Sequence, residues 1–266
     1  MTETSEALVD LIEHSINNYE RTLQKAIGPS ELGTLCLRRL GFRLADIPKA
    51  NDTGGWRPMV GTAVDNELSV FLNKDNQARK RRKLPERWII HKRVGVGTLD
   101  GQLISGTLDV YDTETDELVD WKVVGPTALK AYRRKVKAGK CPDEKYRAQV
   151  HTYGRGIARK EGLPIKTVGI MFLPMNGELS DIVYWSEPYD PAVGAEVFAR
   201  ARDLSEALKE EGPELVARLI RADDHCGHCP WFVPGTEDLT KECPGHPELN
   251  AGKGDPFDPD VMEAWD

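Results

Sequence analysis

The sequence predicts an α/β (α+β) fold, a mixed β-sheet flanked by helices. Three observations carry that reading. Helical and strand periodicities follow in the order helices, a three-strand meander, a helical stretch, two further strands, and helices again. The 266 residues are 39% hydrophobic, enough to bury one large core or two small ones. The charged share is 30%, and with that apolar content it excludes wholesale disorder. No apolar run approaches the roughly 20 residues that span a bilayer. Residues 1–10 are acidic and lack the basic and apolar regions of a secretory signal, so a cytoplasmic location is expected.

Each element has a local cause. Leu8, Leu11, Ile12, Ile16, Tyr19 and Leu23 recur at helical spacing over 4–27, and Gly28-Pro29 stops that helix. Ser30 caps a second helix, 31–43. Asn51 to Gly55 is a loop, 61–72 a third helix, and Arg79 to Pro85 a basic connector. Strands are expected at 88–96, 102–110 and 117–124, the first two separated by Gly97 to Gly101 and the last two by the turn-rich stretch Asp112 to Asp116. Helices at 127–137 and 143–160 precede strands at 166–173 and 181–187, which turn at Asn176-Gly177. Helices at 191–209 and 214–220 follow. From His225 onward Pro and Gly are frequent, and an irregular tail is expected, held by something other than a core. The organisation is an N-terminal helical segment (1–60), a central core (61–222) and a cysteine-containing acidic tail (223–266).

The net charge of −7 resides in the tail: residues 235–266 carry nine acids against Lys241 and Lys253, which leaves 1–234 neutral overall. Within that neutral body lie two dense basic segments. One is Arg79-Lys80-Arg81-Arg82-Lys83; the other, Lys130 to Lys140, holds Arg133, Arg134, Lys135 and Lys137. Fields act locally within a Debye length, so such patches can bind phosphate despite the acidic total, or they can be solvated faces. Five cysteines, an odd number, argue against a disulfide framework and raise the question of metal or cluster binding.

Chemistry concentrates on the third strand. Alternation puts Asp120 and Lys122 on one face and Trp121 on the other. Asp109 ends the preceding strand after Gly106, and a short hairpin brings it close to Asp120. Two carboxylates and an ammonium on one rim suit a hard divalent cation, Mg²⁺ or Mn²⁺, in phosphodiester hydrolysis. Gln149 and Tyr153, four apart, share a face of the following helix. Asp65 offers another carboxylate at the first turns of an earlier helix.

The order Gly-x-x-Asp (Gly106, Asp109), Asp-x-Lys (Asp120, Lys122) and Gln-x-x-x-Tyr (Gln149, Tyr153) resembles the RecB-like branch of the PD-(D/E)xK nuclease superfamily. Gly28-Pro29-Ser30 to Cys36, with Cys226-x-x-Cys229 and Cys243 near the far end, resembles its iron–sulfur subset: CRISPR-associated adaptation exonucleases, related phage exonucleases and the AddB-type nuclease domain. The resemblance spans about residues 28–245. It implies a restriction-endonuclease-like core, with Asp109, Asp120 and the Val123 carbonyl as metal ligands, Lys122 as catalytic lysine, and Gln149 and Tyr153 orienting DNA or the scissile phosphate; the alternative for Gln149 and Tyr153 is a helix face bonding to the sheet. Asp65 stands where the family has a histidine ligand; Glu67 is a substitute, and a mere helix-start carboxylate at Asp65 is the alternative.

The resemblance further implies a [4Fe-4S] cluster on Cys36, Cys226, Cys229 and Cys243. Thirteen residues separate Cys229 from Cys243, more than the family usually has. Cys226, Cys229, Cys243 and His246 alternatively spell a zinc site, with His225 and His228 as further candidates. Cys141 is left over as a free thiol. The function expected is a metal-dependent DNA exonuclease whose basic segments (Arg79, Lys80, Arg81, Arg82, Lys83; Arg133, Arg134, Lys135) track the backbone. The rivals are an inactive DNA-end-binding adaptor on the same fold and a zinc-binding protein without nuclease activity.

Overall fold

The computed structural model describes residues 2–18, 27–51, 55–222 and 226–247. Helix α1 spans Glu3–Asn17; the rest of the helix expected to residue 27 falls largely outside the described residues. The single helix expected at 31–43 is two, α2 (Pro29–Leu32) and α3 (Leu37–Leu44). They part at Gly33, whose Cα lies so close to the second helix of the later crossover that a Cβ there would stand 2.9 Å from the Lys145 carbonyl oxygen. The third helix is much longer than its apolar pattern suggested: α4 runs Trp56–Arg81 and absorbs the first three residues of the expected basic connector. Lys83, at φ 61°, closes it in the left-handed region, with the Leu84 N–H bonded back to the Arg79 carbonyl.

Two expected strands are each broken in two. The first becomes β1 (Trp88–Ile90) and β2 (Arg93–Leu99), the second β3 (Gln102–Thr107) and β4 (Val110–Asp112). The breaks lie side by side. His91, at φ 48°, donates its N–H to the Asp109 carbonyl at 3.1 Å, and Leu108 donates to the Lys92 carbonyl at 3.1 Å. The hairpin therefore bends as a unit. Its outer half, β2–β3, is a separate two-stranded ribbon turned at Asp100-Gly101, both at positive φ. Its inner half joins β5 (Glu117–Val124), β6 (Thr167–Pro174) and β7 (Val183–Pro188) in a five-stranded sheet of order β1-β4-β5-β6-β7. Asp109 sits at the bend.

The sheet is mixed. β4 and β5 are antiparallel, whereas β5 and β6 are parallel, joined by a crossover of α5 (Pro126–Lys137) and α6 (Glu144–Gly156). Pro126 opens α5 at a position that needs no N–H. Asp143 caps α6 by accepting from the Lys145 and Tyr146 N–H groups. Helix α6 runs on into a π-helical turn, Ile157–Glu161, and α7 spans Pro191–Glu211. The helix expected at 214–220 is a 3₁₀ stretch, Pro213–Arg218. Alternation along β5 sorts the core into two layers. Leu118 joins the main cluster with α6, α7 and α3 residues; Val119, Trp121 and Val123 join a smaller one under Val64, Leu68 and Leu72 of α4.

The C-terminal segment departs from expectation. Trp231 and Phe232 are each 3% exposed, and Trp231 stacks on Phe42 at 5.5 Å and donates its indole N–H to the Ile47 and Pro48 carbonyls. Residues 226–247 are irregular, but an apolar anchor and backbone bonds such as Asn51 N–H to the Pro230 carbonyl dock them on 36–51. Sequence reading missed this because two aromatics in a Pro-rich stretch carry no periodicity. Among the described residues no helix is long and apolar enough to cross a membrane.

Candidate active site and cysteine pocket

The bend and the β5 strand build the acidic centre. Val110 pairs with Val119, so Asp109 at the bend falls opposite Asp120, and its Oδ2 accepts the Trp121 N–H at 2.9 Å. Asp120 is 1% exposed. Its Oδ1 accepts from Gln149 Nε2 at 2.8 Å; its Oδ2 faces Lys122 Nζ at 2.5 Å and, beyond that ion pair, is buried with no hydrogen-bond partner among the described residues. Burial, and then the neighbouring Asp120 carboxylate, push the Asp109 carboxyl well above the usual carboxylate range, against the pull of Lys122 and the Trp121 N–H. Burial works against the Lys122 ammonium, but Asp120, Asp109 and Tyr146 outweigh it and raise the amine above its ordinary value. Two carboxylates crowd one partly dehydrated corner, and one lysine offsets only part of their charge.

Helix α6 supplies the wall. Tyr146, Gln149 and Tyr153 lie at i, i+3 and i+7, on one face. Gln149, itself 5% exposed, is spent on Asp120. Tyr153 is buried, with its hydroxyl 2.8 Å from where a Cβ on Gly106 would stand, and Pro29 Cδ is 2.7 Å from the same point. Gly106 of the Gly-x-x-Asp pattern is thus bare because Tyr153 of the Gln-x-x-x-Tyr pattern and α2 both press on it. Sequence reading missed Tyr146, whose ring lies 5.2 Å from Lys122 Nζ; its spacing from Gln149 was the available signal. Val123 continues β5 in register with Leu173 of β6.

Asp65 reaches the site from α4, on the Trp121 side of the sheet. Its Oδ1 accepts from the Trp121 indole N–H at 2.7 Å and lies 2.9 Å from His91 Nε2. His91 also meets Ser69 Oγ at 3.0 Å. His91 was hidden inside what read as an unbroken strand, and nothing in the sequence marks it. Glu67 is exposed on α4.

The basic segments divide. Arg79 is paired with Glu114 and bonded to the Pro85 carbonyl, and Arg81 bonds back to the Gln77 carbonyl at 3.4 Å. Lys80, Arg82 and Lys83 are exposed. On α5, Arg133 holds Asp181 through its carboxylate and carbonyl, and Lys135 Nζ donates to the Pro142 carbonyl at 2.8 Å. Arg134 is exposed.

Cys36, Cys226, Cys229 and Cys243, 207 residues apart at the extremes of that set, line one pocket together with Arg39 and His246. All five cysteines are free thiols. Burial pushes the Cys229 thiol up to about 11, with Arg39 opposing and the neighbouring Cys243 and Cys36 adding to the rise. Cys141 lies elsewhere, its thiol pushed up to about 12 by burial and by Glu144. His228 sits in the 3₁₀ turn Cys226–His228, outside the pocket lining, and His225 lies outside the described residues. Among the described residues no three or more His, Cys, Asp or Glu side chains form a ready-made metal site, so the thiols share a pocket and not a closed coordination sphere.

No family model matches the chain, and no curated protein matches it in sequence. In overall chain path it is similar to the crystal structure of SSO0001, at TM-score 0.46 and 14% identity over 87% of this chain and 95% of that one. It is similar to an alkaline exonuclease (LHK-Exo) from Laribacter hongkongensis at TM-score 0.39 and 16% identity, over 68% of this chain and 91% of that one. A phage related exonuclease from Haemophilus somnus 129PT aligns at TM-score 0.37 and 16% identity, over 66% of this chain and 81% of that one.

Proposed function

We propose that this chain is a metal-dependent deoxyribonuclease of the RecB-like PD-(D/E)xK type, hydrolysing phosphodiester bonds at DNA ends. One observation carries the reading: Asp109, Asp120 and Lys122 converge at the hairpin bend, with the Asp120 Oδ2 buried and, among the described residues, served only by Lys122. A buried carboxylate set against a half-buried one is costly on its own. The donor set fits a hard divalent cation, Mg²⁺ or Mn²⁺, which would relieve the repulsion that drives the Asp109 carboxyl upward. The chemistry such a cation supplies is Lewis-acid activation of water and of a phosphoryl oxygen. Asp109 and Asp120 would hold it. Gln149 fixes the Asp120 carboxylate, and Lys122 keeps its proton, so its ammonium is available to a phosphate oxygen as negative charge develops. Asp65 ties down the Trp121 indole and meets the His91 ring, which supports a role in bracing the bend at least as well as direct ligation.

For the cysteine pocket we infer a [4Fe-4S] cluster on Cys36, Cys226, Cys229 and Cys243. The donor chemistry fits: four thiols share one pocket, and burial, with a smaller push from Cys243 and Cys36, raises the Cys229 thiol, a cost that an iron–sulfur core removes. His246 lines the same pocket and supports the second reading, zinc on Cys226, Cys229, Cys243 and His246. Iron, sulfide and zinc content of anaerobically purified protein, with Cys36→Ser and His246→Ala, separates the two. Iron lost with Cys36 supports the cluster; one zinc lost with His246 but retained in Cys36→Ser overturns it.

The nuclease reading is tested with end-labelled linear and circular DNA in Mg²⁺, Mn²⁺ or EDTA. Metal-dependent loss of linear DNA with circular DNA spared is the expected result. Absent degradation favours the inactive end-binding adaptor, and degradation that persists in EDTA overturns the metal-dependent reading.

A further inference from the structure

We infer that the substrate backbone is tracked by one face of α5, formed by Lys130, Arg134 and Lys137, and that the Arg79–Lys83 run takes no part in holding the strand being cut. This rests on the nuclease reading and assigns the path of its nucleic-acid partner. The level of α5 relative to the site follows from register. Lys122 pairs with Phe172 on β6, and Phe172 pairs with Val183 on β7. Asp181, just before Val183, is where Arg133 anchors α5. The anchor therefore lies at the level of the catalytic lysine. The Arg79–Lys83 run lies at the other end. Arg79 binds Glu114 in the β4–β5 turn, and Lys122 is five residues, about 17 Å, along β5 from Glu117 at that turn. Along α4 the run begins about 20 Å beyond Asp65.

The face itself is selected by burial. Leu129 and Tyr132 are buried, and Ala128 and Val136 are partly buried against the same core. At 100° per residue the opposite side of the helix carries Lys130, Arg134 and Lys137, all exposed. Arg133 and Lys135 flank it and are bound to Asp181 and the Pro142 carbonyl. The helix macrodipole accounts for cations in the last turn, Arg134 and Lys137, but not for Lys130. Between Asp120 and Asp143 the chain has no acid, but it carries Lys122, Lys130, Arg133, Arg134, Lys135, Lys137 and Lys140. From Lys130 to Lys137 the helix rises about 10.5 Å, the axial span of about three phosphates of one DNA strand.

Full-length protein with Asp120→Asn, which blocks cleavage, is titrated in EDTA with a 5′-labelled 20-nucleotide single strand and with its blunt duplex. Anisotropy is read across salt concentrations. Neutralising three phosphate contacts should flatten the log Kd against log salt slope by about 2 for the single strand and about 2.7 for the duplex. We expect that flattening from the combined variant K130Q/R134Q/K137Q, an unchanged slope from K80Q/R82Q/K83Q, and from R133Q/K135Q a lower melting temperature with the slope kept. Methylphosphonates at three consecutive linkages should weaken binding of the parent protein but not of K130Q/R134Q/K137Q. An unchanged slope in K130Q/R134Q/K137Q, or flattening in K80Q/R82Q/K83Q instead, overturns the path and leaves the nuclease reading standing if the unsubstituted protein still cuts DNA. Absent cleavage by that protein overturns the nuclease reading by itself.

Discussion

Replacing Gln149 tests whether this side chain serves the carboxylate or the substrate. The resemblance to RecB-like nucleases implies that it orients DNA, whereas its Nε2 is bonded to Asp120 Oδ1 at 2.8 Å and both residues are buried. Gln149→Ala leaves a buried carboxylate oxygen without its donor. Hydrogen bonds to charged groups are worth about 1.5–3 kcal/mol, and solvent does not screen this one. A loss of about 2 kcal/mol corresponds to a melting temperature lower by about 4–8 °C at this chain length. Part of the same energy returns as a looser Asp120, so the cleavage rate should fall by about tenfold or more while the DNA dissociation constant stays within a factor of two. Gln149→Glu should be worse, because it sets a second carboxylate against Asp120. Differential scanning fluorimetry in EDTA and single-turnover cleavage of end-labelled DNA give the two quantities. Unchanged melting and unchanged rate at saturating DNA, with affinity reduced tenfold, would refute the assignment and return Gln149 to the substrate.

Asp109→Asn should abolish cleavage yet stabilise the metal-free protein. The folded state raises the Asp109 carboxyl, so its contribution to stability is present below the ordinary carboxylate range and is lost as pH rises through the elevated value. The advantage of the asparagine in EDTA should therefore grow with pH, and added Mg²⁺ should stabilise only the unsubstituted protein; a pH-independent difference contradicts the crowding of Asp109 against Asp120. Gly106→Ala puts a methyl 2.7 Å from Pro29 Cδ and 2.8 Å from the Tyr153 hydroxyl, and should cost about 1–3 kcal/mol in urea unfolding. Trp231→Ala should cost about 3–5 kcal/mol even in chelator-treated protein, because the tail is docked by the stack on Phe42 and not only by its cysteines. A loss confined to the metal-loaded form would show that the pocket alone holds the tail.

Elements with a local cause were legible: the crossover helices and the two strands after them fall within a few residues of expectation, because capping by Asp143 and Pro126 and the apolar runs of β6 act at short range. The juxtaposition of Asp109 and Asp120 was readable from hairpin length and alternation. What escaped depends on distant partners. The bend at His91 and Asp109 is set by pairing between two strands and leaves no mark in either one alone. Helix α4 runs two turns past its apolar stripe because Asn76 caps the backbone at Arg87 and Trp88. The convergence of Cys36 with Cys226, Cys229 and Cys243 was suggested by resemblance, whereas the aromatic packing beside it, Phe42 on Trp231, had no sequence signal.

The most direct measurement is acid-soluble nucleotide released from linear DNA by the unsubstituted chain, Asp120→Ala and Lys122→Ala, prepared in parallel, with Mg²⁺ or Mn²⁺ and with EDTA. The Asp109–Asp120–Lys122 centre requires release that depends on metal and vanishes in both variants while each still melts cooperatively. Release by either variant at a rate near that of the unsubstituted chain would contradict it.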